Sequence, residues 1–119
     1  RATPHPALAV FDAPDGFSAC TRRLRSNTPL QALTLLNDQQ FHEMAEALAR
    51  RAFAEEASSD SVRLERTFRL CLARKPDSQE RTRLAALLKE QSESSETKLE
   101  AWTTVARVLL NLDETITRE

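Results

Sequence analysis

The sequence predicts an all-α fold, a compact array of about four amphipathic helices preceded by an ordered, proline-containing coil arm. Apolar residues recur at steps of three and four through most of the chain. A single glycine and no tyrosine occur in 119 residues, while Leu, Ala, Arg and Glu abound. Helix-start signals also stand ahead of the apolar stripes. A β-sandwich needs many turns and β-branched runs, which this composition lacks. The length fits one domain and is enough to bury a core.

Residues 1–27 read as the arm. Pro4, Pro6 and Pro14 argue against a regular helix and favour extended backbone before them. Ordered coil is therefore expected, with a short extended piece near Leu8–Phe11. Leu8, Val10, Phe11 and Phe17 are apolar enough that the arm is expected to lie on the helical domain, residues 28–119. That domain opens with Thr28-Pro29-Leu30-Gln31: Thr28 suits a helix cap, Pro29 the first helical position, and Gln31 the returning bond of a capping box.

The first helix is expected over 28–54, with Leu30, Leu33, Asn37, Phe41, Met44, Leu48 and Ala52 on one face and Gln39, Glu43, Glu46 and Arg50 opposite. Residues 55–61 break the pattern and supply caps. The second helix, 61–74, carries Leu64, Phe68, Cys71 and Leu72 and ends before Lys75-Pro76. Asp77 followed by Glu80 is another capping pair, opening a third helix over 77–91 that buries Leu84, Leu87 and Leu88. Residues 91–97 read as a polar surface loop. The fourth helix, 96–115, carries Leu99, Trp102, Val105, Ala106, Leu109, Leu112 and Ile116 along its stripe.

Seventeen basic against 18 acidic residues leave a net charge of −1. No overall field favours nucleic acid or an anionic membrane, so neither is expected as a partner. No apolar run approaches the roughly 20 residues that span a bilayer, so membrane insertion is not expected either. Cys20 and Cys71 are too few and too far apart for a disulfide framework or a zinc site. A single bridge between them stays open, because sequence does not fix their distance. The chain begins on Arg1 rather than Met and is read as a piece of a longer protein, whose upstream domains are its expected partners.

Seven segments share a likeness: Phe11-Asp12-Ala13-Pro14-Asp15, Cys20-Thr21-Arg22-Arg23, the run from Ser26 to Asp38, Phe68-Arg69-Leu70 with Ala73-Arg74-Lys75-Pro76, and Ala101-Trp102 with Val105 to Glu114. Together they resemble the C-terminal part of the planctomycete-specific domain of unknown function, found in proteins that often also carry a planctomycete-type cytochrome c domain. The resemblance implies an exported or periplasmic parent protein, because covalent c-type haem is assembled outside the cytoplasm. It implies no activity. The chain has no Cys-x-x-Cys-His, so no haem or other cofactor is expected in it.

Few residues invite a sharper reading. Arg22, Arg23 and Arg25 precede the Thr28 helix start, where backbone N–H groups carry partial positive charge. They either hold an anion or docking partner or pair with Asp12, Asp15 or Asp38 to fasten the arm. Asp38, His42 and Glu46 fall on one helical face at metal-ligand spacing, yet no second histidine is near in sequence, and a solvated polar stripe is expected. Cys71 sits among apolar neighbours and reads as a small hydrophobe. Asn37 and Asn111 interrupt apolar stripes, so a buried amide seeking backbone partners is expected at each; Thr28 and Asp38 are expected to make structural polar contacts as well.

No Ser–His pair, glycine-rich phosphate loop or paired metal motif is present, so no catalytic residue is expected. The expected function is a non-catalytic structural or interaction module at the C-terminal end of a larger, exported protein. The alternative is one wall of an enzyme or redox protein whose active site lies upstream.

Overall fold

The computed structural model describes residues 6–14, 21–22, 26–54, 57 and 59–117. All regular structure among them is helical: α1 (Pro6–Val10), α2 (Pro29–Asn37), α3 (Gln39–Ala54), α4 (Asp60–Leu72), α5 (Ser78–Ser94), α6 (Lys98–Leu110) and α7 (Asp113–Ile116). The all-α class is therefore confirmed.

Four features differ from the expectation. Part of the arm is helical rather than coil or extended. Proline is tolerated in a first turn, where its missing N–H has no partner to lose, and Pro6 opens α1 in that way. The helix closes with Asp12 in the left-handed region (φ 50°), Asp12 N–H on Ala9 O at 3.2 Å and Ala13 N–H on Leu8 O at 2.8 Å. That pair of bonds ends a helix without glycine because aspartate tolerates this conformation.

The helix expected over 28–54 is divided at Asp38, which is extended (φ −74°, ψ 134°). Its N–H still closes α2 on Thr34 O at 2.9 Å. Its carboxylate accepts from Gln40 N–H at 2.8 Å, so one residue ends α2 and caps α3. The helix expected over 96–115 is likewise divided, at Asn111 and Leu112, and α5 runs on to Ser94 into what had read as loop.

The break at Asp38 resets the helical phase, and the buried face changes with it. Leu30, Leu33 and Met44, expected inside, are 59%, 55% and 55% exposed. What α3 buries is small: Ala45, Ala49 and Ala52. α3 packs along α6 through this alanine face. The two helices run antiparallel, since Lys98 at the start of α6 reaches the Phe53 ring near the end of α3 (5.9 Å) and Arg107 near the end of α6 donates to Leu36 O just ahead of α3.

α6 is the central element, touching α2, α3, α4, α5 and α7. Ala101, Trp102, Val105 and Leu109 meet Leu64 and Phe68 of α4 and Leu84 and Leu88 of α5 in one apolar cluster. Three of the long helices open on the same device. Thr28 with Gln31, Asp77 with Glu80, and Thr97 with Glu100 each form a capping box.

Candidate functional site

Gln31 is the first residue whose role exceeds its sequence signal. It is buried, its Oε1 accepts from Thr28 N–H (3.1 Å), and its Nε2 donates to Val10 O (3.0 Å) and Ser26 Oγ (2.7 Å). One amide thus caps α2 and ties α1 to it. Phe11, just after α1, stacks tilted on Phe41 of α3 with ring centroids 5.7 Å apart.

Two concavities border α3. A polar cleft of about 770 Å³ is lined by His42 and Glu46 of α3 and by Glu96, Glu100, Thr104 and Arg107 around α6. It brings together two members of the Asp38-His42-Glu46 stripe. Glu46, however, is forked by Arg50 at 2.6 Å, and Glu100 accepts from the N–H groups of Glu96 and Thr97 at 3.1 and 3.2 Å. Among the described residues no group of three His, Cys, Asp or Glu side chains could hold a metal ion.

The second concavity is apolar, about 310 Å³, between Phe11, Leu35, Phe41, Met44, Leu110 and Ile116. Leu8, Leu30 and Leu33 lie exposed elsewhere on α1 and α2. These two helices, PALAV and PLQALTLLN, contain no charged residue at all. Among the described residues the most exposed large apolar side chains are Leu8, Leu30, Leu33 and Met44, on α1, α2 and α3, with Val62, Leu70 and Val108 less exposed on α4 and α6.

The other residues singled out in the sequence are placed as follows. Arg22 is exposed; Arg23, Arg25, Asp15 and Cys20 lie outside the described residues. Asp12 accepts from Ser26 Oγ. Asn37, expected buried, is exposed and donates to Leu33 O one turn back at 2.8 Å, because the break at Asp38 turns its face outward. Asn111 is half-buried; its N–H closes α6 on Arg107 O at 3.1 Å, and its Oδ1 is buried without a partner among the described residues. Cys71 is a free, half-buried thiol. Burial pushes its pKa up, which keeps it protonated and weakly nucleophilic at neutral pH.

Sequence reasoning missed two arginines. Arg63 donates to Asp60 (2.8 Å) and to Ala52 O at the end of α3 (2.9 Å), and its guanidinium lies 5.0 and 5.8 Å from the Phe53 and Trp102 ring centroids. Arg74 follows Ala73, whose left-handed turn (φ 57°) ends α4. It holds Glu80 through two bonds of 2.6 and 2.8 Å and Glu114 through two of 2.9 Å, above the Phe68 ring at 4.9 Å. Glu80 was legible as a capping residue; its Arg74 partner was not, because the pair forms only once the α4–α5 turn folds.

The Arg74 hydrogen bonds, helped by the Asp77 N–H and the guanidinium charge, pull the Glu80 carboxyl down to about 2. A carboxyl depressed on folding adds stability above its unfolded pKa, near 4.3, and loses it as pH falls through the folded value. In urea melts, the stability gap between wild type and Glu80→Gln should be full above about pH 5, narrow below that, and close only as pH falls below about 2. A gap unchanged across that window would show that the charge contributes nothing.

These surfaces belong to an all-α domain with an apolar N-terminal face and ion-paired turns. The chain is a member of the PSD1 family of proteins of unknown function (DUF1553), whose model matches residues 1–88. No curated protein and no solved structure matches it.

Proposed function

We propose that this domain is a non-catalytic interaction module that docks, through its N-terminal helices, onto upstream parts of the same polypeptide. One observation carries the reading: Leu8, Leu30, Leu33 and Met44 are each more than half exposed, on or beside two helices that contain no charge. Exposed apolar side chains on adjoining helices suit an interaction surface, and charge-free α1 and α2 can be covered without desolvating an ion of their own. The likeness to the planctomycete-specific, cytochrome c-associated domain supports a larger, exported parent whose C-terminal end this domain forms. Haem attachment is assigned to other domains, since Cys20 and Cys71 lack the spacing for it. Among the described residues no helix is long and apolar enough to cross a membrane.

The alternative, one wall of an upstream active site, rests on the polar cleft with His42 and Arg107. Titration calorimetry with the purified upstream region separates the two. Docking requires binding by the wild-type chain and a loss of at least about tenfold, or about 1.4 kcal/mol, in Leu30→Glu/Leu33→Glu. Charge reversal at Arg22 reports whether the arginine cluster takes part. Binding that ignores the leucines but fails in His42→Ala/Arg107→Ala favours the alternative, and no binding at all defeats the docking model.

A further inference from the structure

α7 is held differently from the long helices α2 to α6, each of which has a side-chain cap and buried residues. It has four residues, no side-chain cap at Leu112 and no buried residue. So short a helix has little stability of its own. Its fastenings are polar: Arg74 to Glu114, Asn27 Nδ2 to Asp113 Oδ1 at 2.7 Å, and Thr115 Oγ1 to Leu109 O at 2.7 Å. The Arg74–Glu114 fork is open to solvent, its side chains 39% and 57% exposed. Yet Thr115 and Ile116 form one wall of the apolar groove, facing Phe11, Phe41 and Met44.

We infer that α7 is a detachable strap that walls the apolar groove and is fastened by the Arg74–Glu114 fork. An exposed ion pair contributes little and is weakened by salt, so the strap opens locally while the core stays folded. Opening removes the Thr115 and Ile116 wall from the groove that Leu110 also lines. Arg74 stays in place when Glu114 lets go, because Glu80 holds it through two further bonds. Release matters for partner binding only if the docking reading above is right, whereas the strap itself is measured on the isolated chain.

The test is Nile red emission, a neutral report of apolar surface, with the Ile116 methyl shift as a second readout. Glu114→Ala removes the fork while placing the best helix former in α7, so any loosening comes from the lost ion pair. At low salt the variant should raise the open population roughly two- to fivefold, the range expected for losing one exposed ion pair, and emission should rise with it. Its Ile116 methyl should move toward the unstructured value while the melting midpoint holds. Salt at about 1 M should bring the wild type toward the variant. Glu65→Ala, which removes the partner of Arg81 and Lys75, should change neither readout. Equal emission in wild type and Glu114→Ala would overturn the strap. So would an equal rise in Glu65→Ala, or a loss of cooperative melting in Glu114→Ala. Failure of the strap leaves the leucine-dependent binding test untouched.

Discussion

Trp102→Ala should cost about 3–5 kcal/mol, the largest loss expected from a single substitution in this domain. The indole is 1% exposed and meets the Phe53 ring edge-on at 5.6 Å. It also gives the Arg63 guanidinium a second aromatic surface, so truncation opens a cavity and loosens an arginine that joins α3 to α4. Domains of this size are stable by only about 5–15 kcal/mol, so urea melts should show the variant's midpoint far below that of the wild type. Trp102→Phe should lose far less, about 1–2 kcal/mol. Its Nε1 is buried with no partner among the described residues, so phenylalanine removes a stranded donor along with some volume. Equal losses in the two variants would mean that the indole N–H is in fact bonded.

Ala49→Leu is expected to destabilise by about 1–3 kcal/mol, although it adds apolar area in a helix that leucine suits. Ala49 is fully buried where α3 lies along α6, and three added carbons force the helices apart or push neighbours off their rotamers. Leu33→Ala removes the same three carbons from a site 55% exposed and should stay within about 0.5 kcal/mol. Thermal melts of the two variants therefore invert the usual ranking of large and small apolar residues. Comparable losses would restore the leucine stripe read from the sequence as the buried face.

That contrast marks where the sequence is legible. The helical class follows from periodicity and composition, and the caps at Thr28 and Asp77 follow from residues three apart. The stripes of α4 and α6 also read correctly, because Leu64, Phe68, Trp102, Val105 and Leu109 are large and keep one phase. α2 and α3 do not. One extended residue, Asp38, shifts the phase, and alanine carries too weak a hydrophobic signal to announce a close helix contact. α1 was hidden because proline reads as a breaker except at the one position it occupies there. Arg63, Arg74 and the polar part of Gln31 depend on neighbours distant in sequence, which no local pattern encodes.

The central place of α6 also sets the size of the folding unit. The family match ends at Leu88, which is itself buried, whereas α6 begins at Lys98. Ala49, Ala52, Leu64, Phe68, Leu84 and Leu88 all lie within the match, while Ala101, Trp102, Val105 and Leu109, the residues they close around, lie beyond it. A chain cut at the edge of the match would keep the walls of the core and lose the pillar between them. The stretch that the family model matches is therefore shorter than the stretch that must be synthesised before this domain can close.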